Sequence, residues 1–300
     1  MWLRAIAVPS RTLAARWRPR PSRRPPLCGP VAHSCASSGL PIPLSRRPLP
    51  HFQHELEGSP FGAYCPAADA CASRYTHQFA SANRTGAASG SRSSLYYSID
   101  VGLLHIIVLD TMSFIGLANE ASFVPQRAWL AADLAAAAAP AQRASVPWIL
   151  VATHVPMYST GSGPSAAMIA AIEPLLLQAG VDLFAFGHDH FYQSNWPVAQ
   201  SKAAGTSFIA PRAPVHVLSG AGAAPAFGAE RPAAGGGGGG GGGAVPDYVR
   251  ATISRWSYSR LTAHNASHLT FEQVDNINGT VLDTWTIVQP NHGPFTVAAE

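Results

Sequence analysis

An α/β fold is predicted for this 300-residue chain by three observations. Two apolar segments, Trp148–Thr153 and Val181–Phe186, flank an amphipathic stretch at Ser165–Ala179. That is the pattern of a β-α-β unit, whose strands run parallel. Ahead of it, Leu104, Ile106, Ile107, Val108 and Leu109 form a nearly continuous apolar run, as in a strand covered on both faces. Behind it, Ser257–Ala263, His268–Val274 and Val281–Val288 read as strands, and Asn278-Gly279 is a hairpin turn signal between the last two.

In chain order, folding is expected to begin near His51, and residues 58–94, rich in Gly, Ser, Ala and Pro, read as a long irregular connection. Tyr96–Ile99 and Leu103–Asp110 read as a hairpin. Val124–Ala138 reads as a helix, with Trp129, Leu130 and Leu134 on its apolar face and Pro140 just beyond its end. In the second helix, Met168, Ile169, Ile172, Leu175 and Leu176 recur at helical spacing, and Gly180 sits where a C-terminal cap belongs. A right-handed crossover places the ends of both flanking strands on one edge of the sheet, where such folds bind ligands. Val215–Leu218 is a further strand. Residues 220–246 include nine consecutive glycines, Gly235–Gly243, and read as a flexible surface insertion without chemistry. No Gly-Lys-Ser/Thr follows, which removes a Walker-type phosphate loop.

Composition narrows the function classes. Apolar residues make up 47% and charged residues 12%, which argues against a chain disordered throughout. The net charge of +4 averages two unlike parts. Residues 1–50 hold nine Arg and no acid, whereas residues 51–300 hold 11 basic and 16 acidic side chains. The basic character therefore belongs to the first segment, and a nucleic-acid partner is excluded for the rest. Ten prolines in residues 1–50 predict a disordered Arg/Pro-rich leader, with the folded domain over 51–300. The leader lacks the long apolar stretch of a secretory signal and looks more like an organelle transit peptide, or like translated sequence that does not belong to the folded domain. No run of about 18 apolar residues is present, so no membrane span is predicted. Cys65 and Cys71 stand six apart and read either as a small disulfide loop or as free thiols. Sequons at Asn83, Asn265 and Asn278 would carry glycans in a secreted chain.

The chemistry lies at the predicted strand ends. His154 follows the first strand of the β-α-β unit, and Gly187-His188-Asp189-His190 follows the second. Gly187 is expected to free the turn so that both of its histidines face one place. A lone His after a strand is ordinarily a loop residue, but three imidazoles at one sheet edge suit Zn, Fe, Cu or Ni. Asp189 reads as a solvated turn carboxylate, with an indirect influence on the two ligands as the alternative.

Thr153-His154-Val155-Pro156-Met157-Tyr158 and Gly187-His188-Asp189-His190-Phe191-Tyr192 resemble the last two metal-ligand motifs of the purple acid phosphatases, a family of calcineurin-like metallophosphoesterases. Tyr258-Ser259-Arg260-Leu261, His264-Asn265-Ala266-Ser267-His268-Leu269 and Asn291-His292-Gly293-Pro294-Phe295 resemble that family's C-terminal part. The resemblance runs over about residues 51–295 and implies a four-layer αββα sandwich, a β-sandwich flanked by helices. It implies two metal ions, Fe(III) with Zn, Mn or Fe(II), clamping a phosphate monoester. His154 and His188 would ligate the divalent ion and His190 the ferric ion. The implied partner is a small phosphate-ester substrate, with a second copy of the chain in a homodimer as an option. The family's usual location implies an extracellular or vacuolar protein, against the organelle suggested by the leader.

The pattern departs from the family upstream. Phe52-Gln53-His54-Glu55 stands where Gly-Asn-His-Glu is expected. Gln53 replaces the Asn ligand, and His54 matches the His that contacts substrate phosphate and donates a proton. The two earlier carboxylate motifs, Gly-Asp-x-Gly and Gly-Asp-x-x-x-x-x-Tyr, do not occur, and residues 1–50 contain no carboxylate. The expectation is therefore a phosphatase lacking an N-terminal portion, with one sheet incomplete, one divalent ion retained and poor catalysis. The alternatives are a non-catalytic scaffold of the same family and a related phosphodiesterase.

Overall fold

The computed structural model describes residues 3–5, 85–111, 120–222 and 244–296. Before the first helix lie β1 (Leu3–Ala5), β2 (Tyr97–Val101) and β3 (Leu104–Val108). Then come α1 (Glu120–Ala137), α2 (Pro140–Ser145), β4 (Trp148–Ala152), α3 (Ala166–Ala179) and β5 (Leu183–Phe186). The remainder is β6 (Tyr192–Ala199), β7 (Lys202–Ala203), β8 (Val215–Ser219), β9 (Val249–Ile253), β10 (Ser257–Ala263), β11 (His268–Asp275) and β12 (Val281–Val288).

Two sheets result. The larger runs β2-β3-β4-β5-β8-β6-β7, with β9 also paired to β6; the smaller runs β1-β10-β11-β12. β3, β4, β5 and β8 are mutually parallel, so the predicted β-α-β unit sits at the centre of a parallel core. Alternation along its strands builds both interiors. Ile149 and Val151 of β4, with Phe184 and Phe186 of β5, face the core shared with Leu130 and Leu134 of α1 and Met168, Ile172 and Leu176 of α3. Trp148, Leu150, Leu183 and Ala185 face the other way, onto Leu261, Leu269, Phe271, Trp285 and Ile287 of the smaller sheet. Each buried Val, Leu, Ile, Phe or Met among them contributes about 1.5–3 kcal/mol. Strands buried on both faces cannot show period-2 patterning, which is why they read as unbroken apolar runs.

The fold is thus an α/β sandwich with helices on the outer face of the larger sheet, as expected. Of the four layers implied by the resemblance, three lie among the described residues. β10 alternates buried and half-exposed along its whole length, the pattern of a sheet covered on one side only.

Helix ends follow local rules. Ser165 caps α3 by accepting the Met168 amide, and Gly180 ends it in the left-handed region (φ 65°). A Cβ at Gly180 would also stand 2.0 Å from the Gly293 carbonyl oxygen. Pro140 does not merely follow α1; it occupies the start of the short helix α2, where its missing N–H costs nothing. β6 and β9 were not expected from sequence. β6 carries Pro197 and three polar residues, and its pairing with β8 is irregular between Ser194 and Pro197, the position at which a strand tolerates Pro. Gln53, His54, Cys65, Cys71, Asn83, the remainder of the leader and the glycine run fall outside the described residues.

Candidate metal centre

Because β3, β4, β5 and β8 are parallel, the loops that follow them gather at one sheet edge. Val155 N–H donates to Thr111 Oγ1 (3.1 Å) beyond β3, and Gly187 N–H donates to the His154 carbonyl (3.0 Å). Gly220 N–H, beyond β8, donates to the Phe191 carbonyl (3.1 Å). The loops bearing the candidate histidines are therefore laced to each other through the backbone.

His154 and His188 meet. His188 Nδ1 stands 3.2 Å from His154 Nε2, with the rings edge to face at 77°. Gly187 is not the residue that turns the chain: His188 itself takes the left-handed conformation, φ 71°. His is among the residues that tolerate this region, though at some cost. Burial, and then His188 and His190 nearby, push the His154 pKa down to about 4, so its ring is neutral and keeps a lone pair for ligation.

The pair suits a metal ion. Two imidazole nitrogens about 2.0–2.1 Å from one ion stand about 2.9–3.4 Å apart in octahedral or tetrahedral geometry, and 3.2 Å lies within that range. His190 is half-buried in the same turn. Among the described residues no group of three or more His, Cys, Asp or Glu is spaced to hold a metal, so the structure brings together two of the three histidines as a pair rather than all three as a cluster.

Several residues that support this edge carry no motif. Gln193 Oε1 accepts the Thr160 amide (3.0 Å) and hydroxyl (2.8 Å), and Asn195 Nδ2 donates to the Tyr158 carbonyl (3.2 Å). Gln193 Nε2 donates to Asn195 Oδ1 (2.8 Å), and both side chains are fully buried. Tyr158 in turn donates its hydroxyl to Glu173 Oε1 of α3 (2.6 Å), and the Glu173 carboxylate accepts the Gln200 amide. Burial raises the pKa of both Glu173 and Tyr158. The loop after His154 is thus tied to α3 on one side and β6 on the other. Sequence offered one signal for this: polar residues inside a stretch with no exposed turn chemistry.

Asp189 is half-buried, with one carboxylate oxygen bonded to the neighbouring loop. Its Oδ2 accepts Ser159 Oγ (2.5 Å), Ser162 N–H (3.0 Å) and Ser162 Oγ (3.0 Å). Asn265 and Asn278 are both exposed at loops of the smaller sheet.

Comparison with known proteins points to one family. Residues 213–284 match the family model described as iron/zinc purple acid phosphatase-like protein C. Acid phosphatase type 7 of Danio rerio is 31% identical over 229 residues, covering 68% of this chain and 49% of that protein. Acid phosphatase A of Cryphonectria parasitica is 29% identical, covering 78% of this chain and 46% of its own. Purple acid phosphatase 18 of Arabidopsis thaliana is 34% identical over 137 residues, 45% of this chain and 28% of its own. The purple acid phosphatase PPD1 from yellow lupin seeds superposes with a TM-score of 0.49 at 20% identity, covering 68% of this chain and 36% of its own. The chain spans about half the length, or less, of these relatives.

Proposed function

We propose, from the premise that this chain is a member of the purple acid phosphatase family, that His154 and His188 hold a divalent metal ion at a site built for phosphate monoesters. The observation that carries the reading is the pair of imidazole nitrogens 3.2 Å apart at the C-terminal edge of the parallel strands. A bound ion supplies charge for the phosphoryl oxygens and acidifies a water molecule. The chain's own residues present a neutral His154 nitrogen, hold His188 against it and exclude solvent beneath it with Val155, Met157 and Phe186. His190 and Gln53 keep the ligand roles that the resemblance gives them, and His54 keeps the contact to substrate phosphate and the proton donation.

Catalysis by the 300-residue chain is expected to be poor, because no Gly-Asp dipeptide occurs in the sequence and the family's first two ligand motifs require one. The family's second, ferric, ion would lack its carboxylates here. The exposed sequons at Asn265 and Asn278 agree with a secreted or vacuolar location, with the phosphate ester as a small soluble substrate.

Titration of the purified chain with Zn(II) tests the reading. One equivalent is expected to bind in the wild type and none in His188→Ala. Turnover of p-nitrophenyl phosphate at mildly acidic pH is expected far below the enzyme median of about 10 per second. Unchanged Zn(II) binding in His188→Ala overturns the site, and turnover at the median overturns the expectation of poor catalysis.

A further inference from the structure

The two histidines stand on separate loops, so something must hold one loop at a fixed distance from the other. Asp189 occupies that position. It follows His188 and precedes His190, yet its carboxylate points at neither. The Oδ2 atom takes three hydrogen bonds from the loop after His154: Ser159 Oγ at 2.5 Å, and Ser162 N–H and Oγ at 3.0 Å each. Ser159 Oγ also accepts the Gly161 amide at 3.0 Å, which closes the loop around the carboxylate.

The fit is tight from both sides. A Cβ on Gly161 would lie 2.4 Å from Asp189 Cγ, and a Cβ on Gly220 would lie 1.8 Å from the Asp189 carbonyl oxygen. Glycine is required at both places because the backbone passes directly against Asp189. The same carbonyl accepts Phe191 N–H, and Asp189 N–H donates to the Gly187 carbonyl, both at 2.9 Å. The Oδ2 atom, the N–H and the carbonyl of the residue are thereby committed to the shape of the turn that carries a left-handed His188.

We infer that Asp189 is a positioning residue: it fastens the His188–His190 turn to the 159–162 loop and so sets the separation of His154 and His188. This rests on the metal reading above for its consequence but not for its geometry. The role requires an acceptor at the Oδ2 position rather than a negative charge, because all three bonds are accepted there. Residues that orient metal ligands commonly change affinity by 10–100-fold when removed.

Asp189→Ala, Asp189→Asn and Gly161→Ala separate the options. Zn(II) affinity is expected to fall about 10–100-fold in Asp189→Ala, to stay within about threefold of wild type in Asp189→Asn, and to fall in Gly161→Ala, whose methyl displaces the carboxylate while leaving it in the sequence. Hydrogen exchange of residues 159–162 and 187–191, read without metal, is expected to quicken in Asp189→Ala and Gly161→Ala and to stay slow in Asp189→Asn. Equal losses in Asp189→Asn and Asp189→Ala overturn the positioning role in favour of charge. Wild-type affinity and exchange in Asp189→Ala overturn it altogether. If the wild-type chain binds no Zn(II), the metal reading fails, and the exchange pattern decides the positioning role by itself.

Discussion

His216 is expected to make the folded chain lose stability in acid, and replacing it by Phe removes that loss. The ring stands on β8, 1% exposed, with neither nitrogen hydrogen-bonded. Phe184 and Tyr158 lie 5.1 Å from it, and Phe186 lies 6.2 Å away. Burial pushes its pKa from 6.5 down to about 3. Between those values an unfolded chain takes up a proton that the folded chain refuses. The neutral ring's contribution is therefore whole above pH 6.5 and shrinks as pH falls towards 3. At 1.36 kcal/mol per unit the loss at pH 5 is about 2 kcal/mol, and at pH 7.5 it is negligible. Urea unfolding of wild type and His216→Phe at both pH values measures it. The fall in stability from pH 7.5 to pH 5 should be smaller in the variant by about 2 kcal/mol, or about 1 M in midpoint for a slope near 2 kcal/mol/M. Any overpacking by Phe, about 1–3 kcal/mol, acts equally at both pH values and cancels in the difference. An identical pH dependence in the two proteins refutes a buried neutral imidazole.

Two further outcomes follow from charges away from the histidine edge. His105 on β3 places Nδ1 2.6 Å from Asp100 of β2 and Nε2 3.0 Å from Asp133 of α1. Burial opposes its charge, but the hydrogen bonds and charges of Asp133 and Asp100 prevail and raise its pKa above 6.5. Its stabilisation is therefore complete below pH 6.5 and lost as pH rises through the raised value; Asp133→Asn should lower the His105 pKa in an NMR titration, and an unchanged value would refute the pairing. Arg143 on α2 is buried with Asp182 (3.0 Å) and donates to the Pro147 and Gly180 carbonyls, so Arg143→Met should cost about 3–5 kcal/mol in urea unfolding. A cost below about 1 kcal/mol, the size of an exposed pair, would refute that burial.

How much of this was legible in sequence depended on which physical signal each element carries. β4 and β5 are apolar on both faces, and α3 between them is capped by Ser165 and Gly180, so hydrophobic pattern and cap chemistry agreed. β10 to β12 alternate against a single core, and Asn278-Gly279 marks their turn. β6 carried the wrong local signals. Gln193, Ser194 and Asn195 are all fully buried; the loop after His154 bonds Gln193 and Asn195, and Arg250 donates to Ser194, all distant in sequence. A polar strand of this kind is decided by tertiary partners, which no window of sequence contains.

The same division runs through the sheet edge that carries the histidines. His154 and His188 were legible because a parallel β-α-β unit must deliver the ends of its strands to one place, and topology of that kind follows from hydrophobic pattern. The residues fixing the distance between them were not, because their effect depends on a bond between loops about 30 residues apart in sequence. Asp189 shows the consequence. From its neighbours alone it is a charged residue in a turn, and solvent is the obvious place for it. Packing changes that expectation: the carboxylate and the carbonyl lie where a Cβ on Gly161 or Gly220 would stand. The histidine motifs therefore place two rings at one edge by topology, whereas the bonds of Ser159 and Ser162 and the bare backbone at Gly161 and Gly220 fit the two loops around Asp189.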